Sequence, residues 1–479
     1  MSALDVAAAG LEPDRETMQE LARLATERIV RYLDTLPAQR ASDTAGGSEV
    51  AQSLVEPMPE HGAPFEPLLD TVFEQLLPKG YNTASPGALS FVTGGGIFHS
   101  AVADFIATAT NPYVAYWAAS PGFVQMENTV VRWFADVMGL PEGAGGVLTS
   151  GGSIANLTAV ITARALRLPE NFLLGTIYAS DQAHHSVQKA IALAGFPASC
   201  LRIIPSDETC RIRLDLVEQA IRKDRLQGRT PFLLVGMAGT TGTGAVDDLH
   251  GLAGLAEQEH LWLHVDAAYG GFFNLTTRGK CELAGIERAD SIVLDPHKSL
   301  FLPFGTGCIL ARREGDLRRA HLVHSHCIRE SVELGERVSA TNPADLSLEL
   351  TRDCRGLRVW LPLKLLGAAT FRRCLDEKLD LAQWTASQLA TIDGVELLAK
   401  PRLSTVAFRV RRDGYDAAEL DVLNQAILER INQLGRVHLS GATVRGGFAI
   451  RICVLAFRAH QRVIAECLED LQRAMREVA

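Results

Sequence analysis

Residues 291–307 read SIVLDPHKSLFLPFGTG. Ser-Ile-Val-Leu is the kind of apolar run that forms a buried strand, and Asp295-Pro-His-Lys298 breaks it. Leu300, Phe301, Leu302 and Phe304 follow, with glycines at 305 and 307. An ammonium among such residues loses hydration, which favours the neutral amine, a nucleophile toward aldehydes. A lone lysine on a loop is most often an idle surface group. The reading of Lys298 therefore rests on what the rest of the chain brings to it.

Upstream, from about residue 99, helical stretches alternate with short apolar runs at 147–149, 174–179, 201–205, 232–237, 261–265 and 291–294. That rhythm predicts an α/β fold, a mostly parallel sheet with helices on both faces. Such sheets place their sites at the C-terminal ends of the strands. Beyond about 350 the pattern becomes helix (363–389), strands near 395–398 and 404–410, helix (417–434), strand (447–456) and helix (458–478), a smaller α+β domain. At the front, residues 14–36 space Met18, Leu21, Leu24, Ala25, Ile29, Tyr32 and Leu33 as one face of a helix, with Asp14 as its cap. Residues 40–66, rich in Gly, Ser, Pro and Glu, read as a linker. The expected division is a helical arm and linker over 1–70, a large domain over 71–350 and a small C-terminal domain over 351–479. An apolar stripe set apart by a linker needs a partner; the arm can fold back on its own body, but docking on a second copy of the chain is the expectation.

The bulk numbers narrow the class. A chain of 479 residues exceeds one small core, and its 47% hydrophobic and 22% charged residues are ordinary for a soluble protein. A net charge of −9 without a basic stripe argues against a nucleic-acid partner. No run of eighteen apolar residues suggests a membrane span, and the early acids of MSALDVAAAGLEPDRE do not suit a signal peptide. Nine cysteines, scattered singly, read as reduced thiols and a cytoplasmic setting. The histidines at 184–185 and 321–326 lack partners at metal spacing, so no metal is expected.

Four strand ends each supply a part for one cofactor, pyridoxal 5'-phosphate. Thr149-Ser-Gly-Gly-Ser153-Ile-Ala-Asn156 joins a strand to a helix; Gly152 lets backbone approach closely, and unpaired N–H groups at the helix start bind a dianionic phosphate. Ser153 and Asn156 can add side-chain hydrogen bonds. In Ser180-Asp-Gln-Ala-His184-His185-Ser186, an imidazole can stack on the pyridine ring and move protons. In His264-Val-Asp266-Ala-Ala268-Tyr269, Asp266 can hold the ring nitrogen's proton and make the ring an electron sink, while Ala268 covers its other face. Lys298 is the fourth part. Each has a bland reading alone, as a glycine turn, a loop histidine or a capping aspartate. The order of all four favours the constellation.

With these parts the chain resembles the pyridoxal-phosphate-dependent amino-acid decarboxylases related to aromatic-amino-acid and glutamate decarboxylases, which share the aspartate-aminotransferase fold. The resemblance runs from about residue 70 onward. It rests on Tyr116-Trp-Ala-Ala-Ser-Pro121, the 149–156 loop, SDQAHHS at 180–186, GTT at 239–241, HVDAAYGG at 264–271 and DPHK at 295–298, with Arg436-Val-His-Leu and Phe448-Ala-Ile-Arg451 near the end. It implies a seven-stranded sheet, phosphate binding at Gly152 and Ser153, stacking by His184, a ring-nitrogen contact at Asp266 and an imine at Lys298. It also sets Thr240 beside the cofactor and His297 near the phosphate, in a homodimer whose N-terminal helices embrace the partner. The implied reaction converts an L-amino acid to its amine and carbon dioxide, with oxidative formation of an aldehyde as the alternative.

Two departures stand out. Aromatic-acting relatives place bulky aromatic residues before and within the loop aligned with residues 90–96, which here reads SFVTGGG, leaving the substrate class open. In those relatives a tyrosine after the lysine delivers a proton to the substrate's Cα. Here no tyrosine lies between Tyr269 and Tyr415, and the aligned position falls at or next to Pro343. His184, His324, His326 and Cys327 are the alternative acids. A nicotinamide enzyme, suggested by Gly242-Thr-Gly244, lacks the third glycine of that fingerprint.

Overall fold

The structure, a computed structural model, describes residues 11–322 and 341–478. Helix α1 (Arg15–Thr35) starts where Asp14 accepts a hydrogen bond from the Thr17 amide, and none of its residues is buried. The stretch expected to be a linker is partly built: Ser42–Asp43 pairs antiparallel with Gly80–Tyr81, and a short helix spans Gly47–Ser53. Two-residue strands carry no alternation to read, so composition alone pointed to a linker. Helices α2 (Phe98–Thr110) and α3 (Pro121–Val137) lead into the main sheet.

From there the chain runs β1 (Gly145–Thr149), α4 (Gly152–Arg167), β2 (Gly175–Ser180), α5 (His185–Leu193), β3 (Leu201–Ile204), β4 (Thr230–Met237), β5 (Trp262–Asp266), β6 (Ser291–Leu294), α6 (Pro296–Ser299) and β7 (Gly307–Ala311). These strands form one seven-stranded sheet, ordered β1-β7-β6-β5-β4-β2-β3. Neighbouring pairs from β6 through β3 are parallel, and β7 runs antiparallel to both of its neighbours. Six of the strands match the expected apolar runs. The seventh, β7, was not among them, because five residues after a glycine-proline turn carry little pattern. Along α4, Ala155, Ala159 and Ala163 recur every four residues and are buried, so the helix packs close to the sheet.

Helix α7 (Arg355–Leu389) starts ahead of its expected boundary, runs through Pro362 and breaks at Gly367 (φ 71°, ψ 148°). A second, four-stranded antiparallel sheet follows, built from β8 (Val395–Leu397), β9 (Thr405–Val410), β10 (Ser440–Val444) and β11 (Gly447–Cys453) in the order β8-β9-β11-β10. Helices α8 (Ala417–Leu434) and α9 (Gln461–Glu477) pack on it, over a core that includes Phe408, Ile427, Ile431, Ile450 and Ile464. Among the described residues, no helix is long and apolar enough to cross a membrane, and no group of three or more His, Cys, Asp or Glu is placed to hold a metal.

Candidate functional site

The carboxyl ends of β1, β2, β4, β5 and β6 open on one cavity of about 660 Å³, and β10 and β11 add Ala442, Thr443 and Arg451 to its wall. Lys298 sits on the single turn of α6, begun by Pro296, whose fixed φ suits a first helical position. Its Nζ lies 2.9 Å from Asp295 Oδ2. Here the expectation of a neutral amine is corrected. Desolvation does press Lys298 toward losing its proton, but the Asp295 and Asp266 carboxylates outweigh it, and the net displacement is upward. The two carboxylates hold Lys298 as an ammonium.

Asp266, at the end of β5, is fixed at both oxygens. Oδ1 accepts from the Ala268 amide at 3.1 Å, and Oδ2 accepts from Asn156 Nδ2 at 3.0 Å. The same Asn156 nitrogen lies 3.0 Å from Ser186 Oγ, and its Oδ1 lies 2.8 Å from His264 Nε2. Asn156, expected to add a bond to the bound group, thus spends its amide on Asp266, Ser186 and His264. His184 starts α5, and its Nδ1 stands 2.7 Å from Ser186 Oγ and accepts from the Ser186 amide. That leaves Nε2 for the cavity. Burial lowers the His184 pKa, only partly opposed by Asp266.

The phosphate end is built by close approach. Gly152 opens α4, and a Cβ there would stand 2.9 Å from Asp295 Oδ2. A Cβ on Gly307 would come within 2.6 Å of the Gly151 backbone, so β7 can lie against this turn only with glycine. His297 donates from Nδ1 to the Thr306 carbonyl at 2.7 Å, and burial lowers its pKa. Ser153 and Ala268 line the cavity with these residues. Thr240 stands between the cavity-lining residues Gly239 and Thr241 without lining the cavity itself. Its hydroxyl lies 3.0 Å from Thr243 Oγ1 and accepts from the Ala245 amide, bracing the 239–245 turn, while Thr241 lines the cavity instead. That turn opens no helix, which removes the structural context a dinucleotide site needs.

A helix N-terminus free of side-chain bulk, a lysine, a fixed aspartate and a small apolar residue fit pyridoxal phosphate.

Three residues escaped the sequence reading. Asp295 was quoted within the DPHK motif but given no role. Ser186 links His184 to Asn156. Arg451 donates to the Thr241 carbonyl and, at 2.7 Å, to Ser440 Oγ, with its Nε buried and unpartnered. The Phe448-Ala-Ile-Arg451 motif was the available signal for Arg451. Phe91 and Val92, in the loop that departs from the aromatic pattern, line the cavity mouth with φ of 52° and 60°. Pro343 begins a buried turn (Pro343–Asp345) whose Ala344 amide bonds the Ala115 carbonyl. His324, His326 and Cys327 lie outside the described residues.

Residues 49–411 match the model of the pyridoxal-dependent decarboxylase conserved domain. The chain is 32% identical over 470 residues to an aromatic-L-amino-acid decarboxylase of Bacillus atrophaeus, covering 98% of each chain. It is 26% identical over 434 residues to an L-2,4-diaminobutyrate decarboxylase of Acinetobacter baumannii, covering 86% of this chain and 84% of that one. The fold matches a crystal structure of Oryza sativa TDC with PLP and tryptamine at a TM-score of 0.93 and 24% identity, covering 97% of this chain and 99% of that one.

Proposed function

The chain belongs to the pyridoxal-dependent decarboxylase family, and from that premise we propose which of its residues do the work. It is a pyridoxal-phosphate-dependent amino-acid decarboxylase, a carboxy-lyase. The observation that carries the assignment of roles is the meeting of Lys298, Asp266 and the α4 N-terminus in one cavity.

Pyridoxal phosphate, when bound, supplies an aldehyde that bonds amines and a pyridine ring that withdraws electrons. Lys298 is the residue that would hold that aldehyde, and the substrate amine would take its place there. Gly152, Ser153 and His297 hold the phosphate end. Asp266 keeps the ring nitrogen protonated, and Asn156 keeps Asp266 aimed. His184 and Ala268, which line the cavity, would cover the two faces of the ring. Arg451, with an unpartnered Nε, meets the substrate carboxylate and orients the bond that breaks. His184 Nε2 and Lys298 Nζ, which line the cavity, would be the proton carriers for the substrate carbon. Thr240 acts through the turn it braces.

The substrate is an L-amino acid whose side chain meets Phe91 and Val92. Apolar and aromatic side chains suit that wall. The active form is a homodimer with 1–70 as its docking arm, 71–350 as the cofactor-binding domain and 351–479 as the small domain. Support comes from the exposed apolar residues of α1. Among the described residues, eight cysteines form no disulfide, which supports a cytoplasmic setting.

Borohydride reduction should fix a pyridoxyl group on Lys298, and Lys298→Ala should lose turnover by about a thousandfold or more. A label on Lys280 or Lys364 would overturn the assignment. A panel of aromatic, basic and acidic amino acids, read for carbon dioxide, amine and aldehyde together, tests the reaction. The aldehyde reading is favoured by one observation of the sequence: no tyrosine lies between Tyr269 and Tyr415, where the position expected for the aromatic relatives' tyrosine falls at or next to Pro343. Stoichiometric aldehyde with hydrogen peroxide under air would decide for it.

A further inference from the structure

On the reading that His184 covers the ring of bound pyridoxal phosphate, we propose that Ser186 is its positioning residue. Ser186 ends a buried chain of hydrogen bonds that fixes the His184 proton on Nε2, facing the cavity. A neutral imidazole has one proton for two nitrogens, and the hydrogen bonds at one nitrogen decide where that proton sits. The chain runs from Trp262 through Ser291, His264 and Asn156 to Ser186. Each of the five is at most 3% exposed, so water does not disorder it.

The polarity of the chain is set where it meets Asp266, a carboxylate that only accepts. Asn156 Nδ2 donates to Asp266 Oδ2 at 3.0 Å, so the Asn156 amide has one orientation, with Oδ1 facing His264 Nε2 at 2.8 Å. That Oδ1 is an acceptor. His264, which burial keeps neutral with a pKa of about 4, therefore carries its proton on Nε2. Its Nδ1 is left to accept from Ser291 Oγ at 2.9 Å. The far end agrees. Trp262 Nε1, which only donates, gives its hydrogen to the same Ser291 oxygen at 2.8 Å and leaves the serine's own hydrogen for His264.

The second hydrogen on Asn156 Nδ2 goes to Ser186 Oγ, 3.0 Å away. Ser186 Oγ stands 2.7 Å from His184 Nδ1, and the Ser186 amide, which only donates, meets that nitrogen at 3.3 Å. A proton on Nδ1 would point at that amide, so Nδ1 is bare and the Ser186 hydroxyl donates to it. His184 thus presents an N–H and no charge to the cavity. Burial lowers its pKa in the same sense, opposed by Asp266 and Asp295 and assisted by His185 and Lys298. With two donors closing Nδ1, a proton that leaves Nε2 is restored at Nε2, from the cavity side.

The test uses the full chain with isotopically labelled histidine nitrogens, unloaded and loaded with pyridoxal phosphate, read by solid-state NMR at neutral pH. His184→Gln assigns the two His184 signals by difference. The unmodified protein should show a protonated Nε2 and a bare Nδ1 in both forms. Ser186→Ala should show both tautomers, and Ser186→Thr, which keeps the hydroxyl, only the first. In the loaded enzyme kcat should fall about tenfold in Ser186→Ala with KM nearly unchanged, and recover in Ser186→Thr. A proton on Nδ1 of the unmodified protein overturns the proposal, as does a single unchanged tautomer in Ser186→Ala. Failure of the underlying reading is distinct, because borohydride would then leave no label on Lys298 while the unloaded protein still reported the tautomer.

Discussion

Asp266 is aimed before any ligand arrives, and its aim depends on one amide. Asn156 Nδ2 is the side-chain donor to Oδ2, and its placement is shared with Ser186 and His264. In Asn156→Ala the carboxylate keeps its charge and its bond to the Ala268 amide but loses its orientation. We expect the cofactor absorbance to form as before, while kcat falls about 10- to 100-fold and KM changes little. Separate measurement of kcat and KM checks this. A matched loss in cofactor binding would mean instead that Asn156 touches the phosphate, as its sequence neighbours suggest. Lys298, Asp266, Gly152 and His184 were legible because each ends a recognisable apolar run. The partner of Asn156 was not, because Asp266 lies 110 positions away and side-chain bonding leaves no local pattern. The charge of Lys298 was misjudged for the same reason. Flanking residues announce desolvation, but the decisive carboxylate contact is a matter of three-dimensional aim.

Strand β5 couples the site to stability. His264 is fully enclosed beneath Asp266, with Nε2 facing Asn156 Oδ1 and Nδ1 2.9 Å from Ser291 Oγ. Trp262 Nε1 donates to the same Ser291 oxygen, so the serine proton goes to Nδ1 and the imidazole proton sits on Nε2. Burial brings the His264 pKa down from 6.5 to about 4, with Asp266 opposing in part. Because the folded value is depressed, the unfolded chain binds the proton more readily. The stability is therefore complete above about pH 6.5 and lost as pH falls toward 4, by about 3 kcal/mol at most. Melting temperature should fall more steeply with acid in the unmodified protein than in His264→Gln, which has nothing to titrate there. Parallel slopes would show that other groups govern acid unfolding. The strand was readable from its apolar run. Strands β7 and β10 were not, because the first is a short return after a turn and the second, SGATV, is half-exposed and small.

At the scale of the molecule, helix α1 is the element the single chain does not account for. Its ties to its own chain are mostly exposed ion pairs, Arg28 with Asp70 and Arg31 with Glu74, together with the edge contact of Tyr32 on Phe73. Pairs of that kind contribute little. Meanwhile Met18, Ile29 and Val30 of α1 are left exposed, as are Val102, Phe105 and Ile106 of α2, with Phe105 64% accessible. Two helices with wet apolar residues are the pattern of surfaces covered by another copy. We expect the protein to sediment as a dimer, and removal of residues 1–38 to shift it toward monomer at micromolar concentration and to increase binding of a hydrophobic dye. Because the cavity is lined from within one chain by Lys298, Asp266 and the α4 start, the truncated protein should still capture pyridoxal phosphate, though more weakly. A truncated chain that stays dimeric and binds no extra dye would mean that α1 rests on its own body. The dimer would then have to be held by α2 alone.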